Sequence, residues 1–248
     1  MAEILLKDGE RVNQLFSTDV KIIQNREVFS YSVDSVLLSR FPNLPKRGLI
    51  VDLCAGNGAV GLFASTRTKA QIIAVEIQER LADMAQRSIE LNNLTSQMQV
   101  IQDDLKYLTR YISGSKVDMI LCNPPYFKVD EHSNLNASRH YLLARHEIAT
   151  NLEEICQISQ RVLKSNGRLT MVHRPERFLD IIETMTAHNL APKRIQFVYP
   201  KANRKANMLL IEAIKDGSRD GLKILPPLFI HNQDGSYTPE IHEIYYGK

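Results

Sequence analysis

A tetrapeptide in the middle of the chain, Asn123-Pro124-Pro125-Tyr126, carries groups suited to holding a planar amine or amide. It follows the apolar run 117–122, which predicts a buried strand. Ligands of open α/β sheets bind beyond such strand ends. The Asn123 side-chain oxygen and the Pro124 carbonyl can accept hydrogen bonds from an NH2 group, two prolines restrict the backbone, and Tyr126 offers a flat face for stacking. A plain Pro-Pro turn is the alternative interpretation.

A glycine-rich turn lies upstream, between a predicted strand that ends near Leu53 and a predicted helix that begins near Ala59. Its sequence, Gly56-Asn57-Gly58-Ala59-Val60-Gly61, matches the G-x-G-x-x-G fingerprint of dinucleotide-binding proteins. Glu76 stands 20 residues after Gly56, where that pattern has its ribose-binding acid. Taken literally, the pattern indicates NAD or FAD. A tight turn that binds no ligand is the alternative.

Asp52, at the end of the first of these strands, argues against a dinucleotide. A carboxylate there would crowd a pyrophosphate at the helix N-terminus, a place that favours anions from the ligand. S-adenosylmethionine has no phosphate, is cationic at sulfur, and has a ribose diol that Glu76 could bind. Asp52 and Glu76 together therefore favour S-adenosylmethionine over NAD.

A third acidic position, Asp103-Asp104-Leu105, follows the predicted strand 98–102. A carboxylate there can accept a hydrogen bond from an adenine amino group, or it can cap the helix that follows. The two aspartates could divide these roles, and Asp104 is the preferred ligand. The predicted cofactor-binding residues are Asp52, Cys54, Gly56, Asn57, Gly58, Glu76, Ile77, Asp103, Asp104, Leu105 and Asn123.

The order of these motifs resembles that of the class I S-adenosylmethionine-dependent methyltransferases. The Asn-Pro-Pro-Tyr form resembles the members that act on an adenine N6 amine or a glutamine side-chain amide. Segments 29–38, 144–147, 172–175 and 192–198 look like parts of the bacterial tRNA(Val) adenine-N6 methyltransferase family, so the likeness covers nearly the whole chain. It implies S-adenosylmethionine as cofactor, residues 123–126 as the catalytic segment, and an adenine beside the anticodon of a valine tRNA as acceptor.

One departure from the class concerns Cys54, because many class I enzymes have glycine there. A small side chain is tolerable at this position if φ stays negative. The sequence leaves the path of the backbone at Cys54 open.

The composition is ordinary for one globular α/β domain, with 248 residues, 44% hydrophobic and 24% charged. No apolar run approaches the ~18 residues of a transmembrane helix, and the charged N-terminus does not resemble a secretory signal. Cys54, Cys122 and Cys156 lack metal-ligand spacing. We expect a cytoplasmic protein with no membrane or metal partner, either a monomer or a homodimer.

Positive charge is concentrated between Arg161 and Lys205, although the net charge is only +3. A basic face attracts phosphates and makes binding sensitive to salt. An ordinary solvated surface is an equally strong alternative. The candidate RNA-binding residues are Arg174, Arg177, Arg194, Lys201, Arg204 and Lys205.

Alternating patterns predict the elements that position these residues. Strands are predicted near 49–53, 71–76, 98–102, 117–122 and 168–173, with helices near 59–67, 78–92, 104–111, 151–164 and 176–189. This alternation indicates a parallel sheet, and two further strands near 194–199 and 207–214 should pair antiparallel. The predicted fold is Rossmann-like, with a mostly parallel seven-stranded sheet and an antiparallel C-terminal strand pair.

The core is predicted to span 48–215. Residues 1–47 should form a hairpin, with strands at 21–24 and 28–31, and a helix from Ser32 or Asp34 to Phe41 that caps the cofactor site. The tail 216–248 should pack on the core as irregular strands. The polar stretch 128–141 is hypothesised to close over the substrate, with His132 and His140 as weak candidates for a general base.

Other functions stay open. A glutamine amide N5-methyltransferase acting on a protein presents the same two donors, although the basic C-terminal half and the family-like segments count against it. An NAD-dependent oxidoreductase would leave Asp52 and residues 123–126 without a role. A non-enzymatic RNA-binding module would leave the acidic residues without one. Ribosomal RNA is the alternative acceptor to tRNA.

Overall fold

The computed structural model describes residues 5–14, 19–25, 32–124 and 152–246. In chain order the strands and α-helices are β1 (Glu10–Gln14), β2 (Lys21–Asn25), α1 (Val33–Arg40), β3 (Leu49–Leu53), α2 (Ala59–Ser65), β4 (Gln71–Glu76), α3 (Glu79–Leu91), β5 (Met98–Gln102), β6 (Val117–Cys122), α4 (Leu152–Val162), β7 (Leu163–His173), α5 (Phe178–Ala187), β8 (Leu190–Tyr199), β9 (Met208–Lys215), β10 (Lys223–Ile224), β11 (Leu228–Phe229) and α6 (Pro239–Tyr246). Two 3-10 helices occupy Leu105–Arg110 and Pro175–Arg177.

A nine-stranded mixed sheet organises the molecule, in the order β10-β8-β9-β7-β6-β3-β4-β5, with β11 beside β8. The five strands from β3 to β7 pair in parallel, whereas β9 runs antiparallel to both β7 and β8. The predicted α/β fold is confirmed, and the short strands β10 and β11 extend the seven predicted strands to nine. The chain reverses its direction of travel across the sheet at β3, which lies between β4 and β6. Ligands bind at such switch points.

Helices cover both faces of the sheet, so its strands are buried on both sides. Ile50 belongs to one hydrophobic cluster and its neighbour Val51 to the other, because successive side chains of a strand point to opposite faces. The continuous apolar runs of the central strands follow from this double burial.

The N-terminal strands form a separate two-stranded antiparallel sheet. The predicted strand at 21–24 is present as β2, and its partner is β1; the predicted strand 28–31 lies outside the described residues. Arg87 of α3 contacts Glu10 at 2.6 Å and Asp83 at 2.7 Å. The Ser88 hydroxyl accepts from the Ile23 amide, which holds β2 against the same helix.

Strand β7 and the C-terminal tail differ from the predicted pattern. Strand β7 begins directly after α4, and its register with β6 shifts, because the chain makes an excursion between Leu163 and Arg168. The C-terminal tail ends in helix α6, where irregular strands were expected. Pro239 stands at its first turn, and Ile241 and Tyr245, spaced by four residues, are buried on one side.

None of the described helices is long and apolar enough to cross a lipid bilayer. Within the described ranges, no group of three or more His, Cys, Asp or Glu side chains could hold a metal ion.

Candidate active site

Four predicted motifs meet at one edge of the sheet. Strands β6, β3, β4 and β5 are consecutive neighbours and run parallel, so their carboxyl ends point to the same side. Asp52 and the glycine turn, Glu76, Asp103 and Asn123 lie at or just beyond these four ends. Residues separated by up to 71 positions along the chain are thus gathered at the switch point of the sheet.

The glycine turn has a left-handed backbone at three of five successive residues. Gly56 has a φ of 57° and Gly58 one of 83°, and Gly58 is the N-cap of α2. Cys54 has a φ of 56°, so the condition under which a side chain is tolerated there without strain is not met. The chain needs a left-handed residue at this point, and a Cβ in that conformation is strained.

Asp52 lies fully buried beneath the turn. Its Oδ2 accepts a hydrogen bond from the Gly61 amide at 2.9 Å, which ties strand β3 to helix α2. Its Oδ1 is buried with no hydrogen-bond partner among the described residues. Burial, opposed by the Gly61 bond and reinforced by the nearby Glu76, raises the pKa of Asp52 to about 8.

Glu76 ends β4 with its carboxylate turned into the site. Its Oε2 accepts from the Gly56 amide at 2.8 Å and its Oε1 from the Gln78 amide at 2.9 Å. Burial raises the pKa of Glu76, against the lowering effect of these main-chain bonds. Glu76 therefore braces the glycine turn. Ile77, which follows it, is exposed.

Asn57 links the glycine turn to the N-terminal sheet. Its Nδ2 donates to the Ile23 carbonyl at 3.0 Å, whereas its Oδ1 is buried without a partner among the described residues. Strand β2 is thereby joined to the site by a side chain that was predicted to bind the cofactor.

The two aspartates after β5 have different partners. Asp104 accepts from the Lys106 amide at 3.1 Å and caps the 3-10 helix that replaces the predicted α-helix. Asp103 Oδ2 accepts from the Tyr111 hydroxyl at 2.9 Å. Leu105 is buried in the core, so a contact of this residue with a ligand would have to come from its backbone.

Asn123 leaves β6 beside helix α1. Its Nδ2 donates to the hydroxyl of Ser35, a buried residue of α1, at 3.4 Å. A bond on the nitrogen side turns the amide oxygen away from Ser35. Ser35 lies 88 residues from Asn123, and nothing in the local sequence links the two.

Several predicted features lie outside the described residues: Pro125 and Tyr126 of the catalytic segment, the 128–141 stretch with His132 and His140, and the family-like segment 144–147. Pro124 is the last described residue of the motif and is buried.

Comparison with known proteins identifies the family. Residues 19–188 match the model of the methyltransferase small domain. The chain belongs to this family. The methyltransferase is 26% identical over 184 residues to a tRNA1(Val) (adenine(37)-N6)-methyltransferase of Photobacterium profundum, covering 73% of this chain and 75% of the relative. It is 27% identical over 214 residues to the protein of that name in Bacteroides fragilis, covering 86% and 89%.

Solved structures show the same fold. A predicted O-methyltransferase from Agrobacterium tumefaciens superposes with a TM-score of 0.69 at 24% identity, covering 87% of this methyltransferase and 96% of that chain. A geranyl diphosphate C-methyltransferase from Streptomyces coelicolor, solved with S-adenosyl-L-homocysteine, superposes with a TM-score of 0.53 at 13% identity, covering 72% and 73%. The expected class I methyltransferase fold is thus confirmed.

The candidate RNA-binding residues of the methyltransferase separate into two groups. Arg194 lies within β8, contacts the buried Glu212 at 3.5 Å and stacks on Phe41 at 4.6 Å, which are contacts within the protein. The other five follow the carboxyl ends of β7 and β8, on the same edge of the sheet as the acidic residues: Arg174, Arg177, Lys201, Arg204 and Lys205.

Proposed function

We propose that this methyltransferase transfers a methyl group to the exocyclic N6 amine of an adenine in RNA. The polymer is a tRNA, and the nucleotide lies near the anticodon of a valine tRNA. The observation that carries the proposal is Asn123 at the end of β6, beside the buried acids and oriented by Ser35. The names of the relatives support the choice of acceptor.

The cofactor is S-adenosyl-L-methionine, which supplies a methyl group activated on a sulfonium cation. The donor set of the site fits a cationic nucleoside. Asp52 has a buried oxygen without a partner among the described residues, and a positive group nearby would offset the cost of ionising it. Glu76 has lone pairs for a ribose diol, and Asp103 or Asp104 for an adenine amino group.

The acceptor site requires two hydrogen-bond acceptors directed at one nitrogen. The Asn123 oxygen and the Pro124 carbonyl would each hold one N6 proton of a flipped adenine, and flipping costs a few kcal/mol. These acceptors orient the nitrogen lone pair for attack and stabilise the positive charge that develops on nitrogen. The surplus proton then leaves to water. Tyr126 is proposed from the sequence to stack on the base, contributing about 1–3 kcal/mol.

The basic residues on the same edge support a nucleic-acid acceptor. Arg177 is only 2.6 Å from Asp180, so part of its charge is already balanced. Lys201, Arg204 and Lys205 belong to the connection between β8 and β9, and Arg204 and Lys205 are exposed. A phosphate backbone that enters the site would pass this connection. An enzyme with this substrate would work in the cytoplasm.

The test is mass spectrometry of nucleosides from bulk tRNA and rRNA of cells with and without the gene. We expect loss of N6-methyladenosine from the tRNA fraction only. Loss from rRNA would move the acceptor to that polymer, and no change in either RNA would favour a protein glutamine.

Purified protein provides the matching test in vitro. The substrate is unmodified tRNA from the deletion cells. Asn123→Ala should lower kcat by several orders of magnitude while titration calorimetry still detects cofactor binding. An active Asn123→Ala variant would contradict the assignment of Asn123.

A further inference from the structure

The 3-10 helix after β5 carries an exposed aromatic and basic surface. Tyr107 is 37% exposed and Tyr111 is 54% exposed. The Arg110 guanidinium lies 3.9 Å from the centre of the Tyr107 ring, and Lys106 Nζ lies 5.1 Å from it. We call these four residues the aromatic-basic surface.

This surface is held in place by the fold. Leu105 and Leu108, on the inner side of the same helix, are buried in the core, and Ile112 follows them. The Tyr111 hydroxyl donates to Asp103 at 2.9 Å, so the ring is anchored at its outer end. Exposed rings with fixed orientations can bind a planar group at a small entropic cost.

The charge of the surface comes mainly from Arg110. Lys106 Nζ lies 2.7 Å from Asp104 Oδ2 and is therefore largely balanced. Arg110 makes no ion pair within the described part of the chain and contacts a ring through its planar group. A guanidinium on an aromatic ring presents a flat, positive face to a base or a phosphate.

The order of the strands shows where the aromatic-basic surface lies relative to the acceptor site. Strand β5 is the third strand from β6 on one side of the sheet, and β8 is the third strand from β6 on the other side. With neighbouring strands about 4.8 Å apart, each flank lies roughly 14 Å from the strand that carries Asn123. The 3-10 helix that carries the aromatic-basic surface begins at the carboxyl edge, and the basic β8–β9 connection lies at the same edge on the other side of β6.

We propose that Tyr107, Arg110 and Tyr111 form a second RNA-binding surface, on which an unpaired nucleotide flanking the target adenine stacks. The proposal rests on the proposed function in that it takes RNA as the acceptor. Unpaired nucleotides of RNA loops are recognised by aromatic rings and guanidinium planes, and this surface provides both. The RNA would then contact the protein on both sides of the base that enters the site.

The test uses the full chain and unmodified tRNA from deletion cells, with fluorescence anisotropy for affinity and initial rates for KM and kcat. Tyr107→Ala and Tyr111→Ala should each raise Kd and KM for tRNA about 5- to 100-fold, equivalent to about 1–3 kcal/mol per base. For Tyr107→Ala, which leaves the bond between Tyr111 and Asp103 in place, KM for S-adenosyl-L-methionine and kcat should change little.

Matched variants separate stacking from other effects. Tyr111→Phe keeps the ring but loses the bond to Asp103, so it should bind tRNA slightly more weakly than the wild type and much more tightly than Tyr111→Ala. Arg110→Ala should reduce the slope of log affinity against log salt by about one. Lys116→Ala, an exposed cation that precedes β6 and lies at the opposite edge, should leave that slope unchanged.

Two results would overturn the inference. Alanine variants with the tRNA affinity and KM of the wild type would exclude the surface. A Tyr111→Phe variant as weak as Tyr111→Ala would assign the effect to the hydroxyl bond with Asp103. If the wild type neither binds nor methylates tRNA, the proposed function fails together with this inference. If it methylates tRNA and the variants are normal, only the inference fails.

Discussion

Two fully buried carboxylates in this methyltransferase have opposite surroundings. Glu212, on β9, is 2.9 Å from Arg168, 3.5 Å from Arg194 and 3.5 Å from the Thr170 hydroxyl. Asp52, on β3, receives one main-chain bond, and its second oxygen has no partner among the described residues. The fold therefore surrounds Glu212, whose role is structural, with a full set of ion-pair and hydrogen-bond partners. Asp52 has fewer partners than Glu212, and it lies at the edge of the sheet where we expect a cationic ligand.

The ion pairs around Glu212 also connect strands of the sheet to helix α1. Arg194 donates to the Phe41 carbonyl at 3.3 Å and stacks on the same residue. The network therefore connects strands β7, β8 and β9 to the end of helix α1. Ser35, near the start of that helix, contacts Asn123. Structural charge pairing in one region thus supports the position of a predicted catalytic residue in the other.

The pH dependence of stability gives the largest expected effect, and it comes from Asp52. Asp52 ionises near pH 3.8 when unfolded but at about 8 when folded, so the native state holds an extra proton between these values. Stability from this group is complete below pH 3.8 and is lost as pH rises to about 8. Asp52→Asn removes the ionisable group, so the variant does not lose stability in this way as the pH rises. The variant should gain stability over the wild type by up to about 4 kcal/mol from pH 5 to pH 8, since one pH unit is worth at most about 1.4 kcal/mol.

Thermal melts of the ligand-free proteins at several pH values measure this gain. The pKa of His173, lowered by burial to about 4, has the opposite effect below pH 6.5, but it is common to both proteins and cancels in the difference. A difference in Tm that stays constant from pH 5 to pH 8 would show that Asp52 is ionised throughout.

Glu212→Gln should give the largest loss of stability. The substitution leaves Arg168 and Arg194 without their carboxylate, and because both arginines keep partial access to solvent, we expect a loss of about 1.5–3 kcal/mol, the value of a hydrogen bond to a charged group. Urea denaturation should show this loss in the free energy of unfolding, while the affinity for S-adenosyl-L-methionine of the folded variant stays normal. A variant with normal stability and impaired cofactor binding would reverse the roles that we assign to the two regions.

Asp52→Asn should show the complementary result in cofactor affinity. The amide oxygen can still accept from Gly61, but the negative charge is gone. A hydrogen bond to a charged group contributes about 1.5–3 kcal/mol, so Kd for S-adenosyl-L-methionine should rise about 10- to 100-fold at pH 8.5. Calorimetric titration measures it. Asp118→Asn, at the start of β6 on the opposite edge, is the control and should bind normally. Equal affinities for Asp52→Asn and the wild type would remove Asp52 from the cofactor site.

The sequence predicted the parts of the molecule that follow from short-range patterns. The central strands, the glycine turn and the acidic strand ends depend on apolar runs and local turn residues, and they stand near the predicted positions. Pairings between distant segments were missed, because no local pattern encodes them. The bond of Ser35 to Asn123, which are 88 residues apart, is of this kind.

Cys54 lies between these two cases, because the sequence showed that its residue type departs from the class but left its backbone conformation open. At a φ of 56°, a residue with a Cβ is strained by about 1–2 kcal/mol, whereas glycine is not. Elsewhere alanine is more favourable than glycine by about 0.5–1 kcal/mol. Cys54→Gly should therefore be more stable than Cys54→Ala by about 1 kcal/mol.

At the neighbouring residue, Ala55, we expect glycine to be less stable than alanine. Ala55 is buried and is not among the described residues with positive φ, so Ala55→Gly should lose stability. Denaturant midpoints of Cys54→Gly, Cys54→Ala and Ala55→Gly measure all three. Removal of the Glu212 carboxylate should weaken the fold. Replacement of Cys54, at the edge of the site, by glycine should instead relieve backbone strain. If Cys54→Ala is the more stable of the two variants, the left-handed turn beneath the cofactor site is refuted.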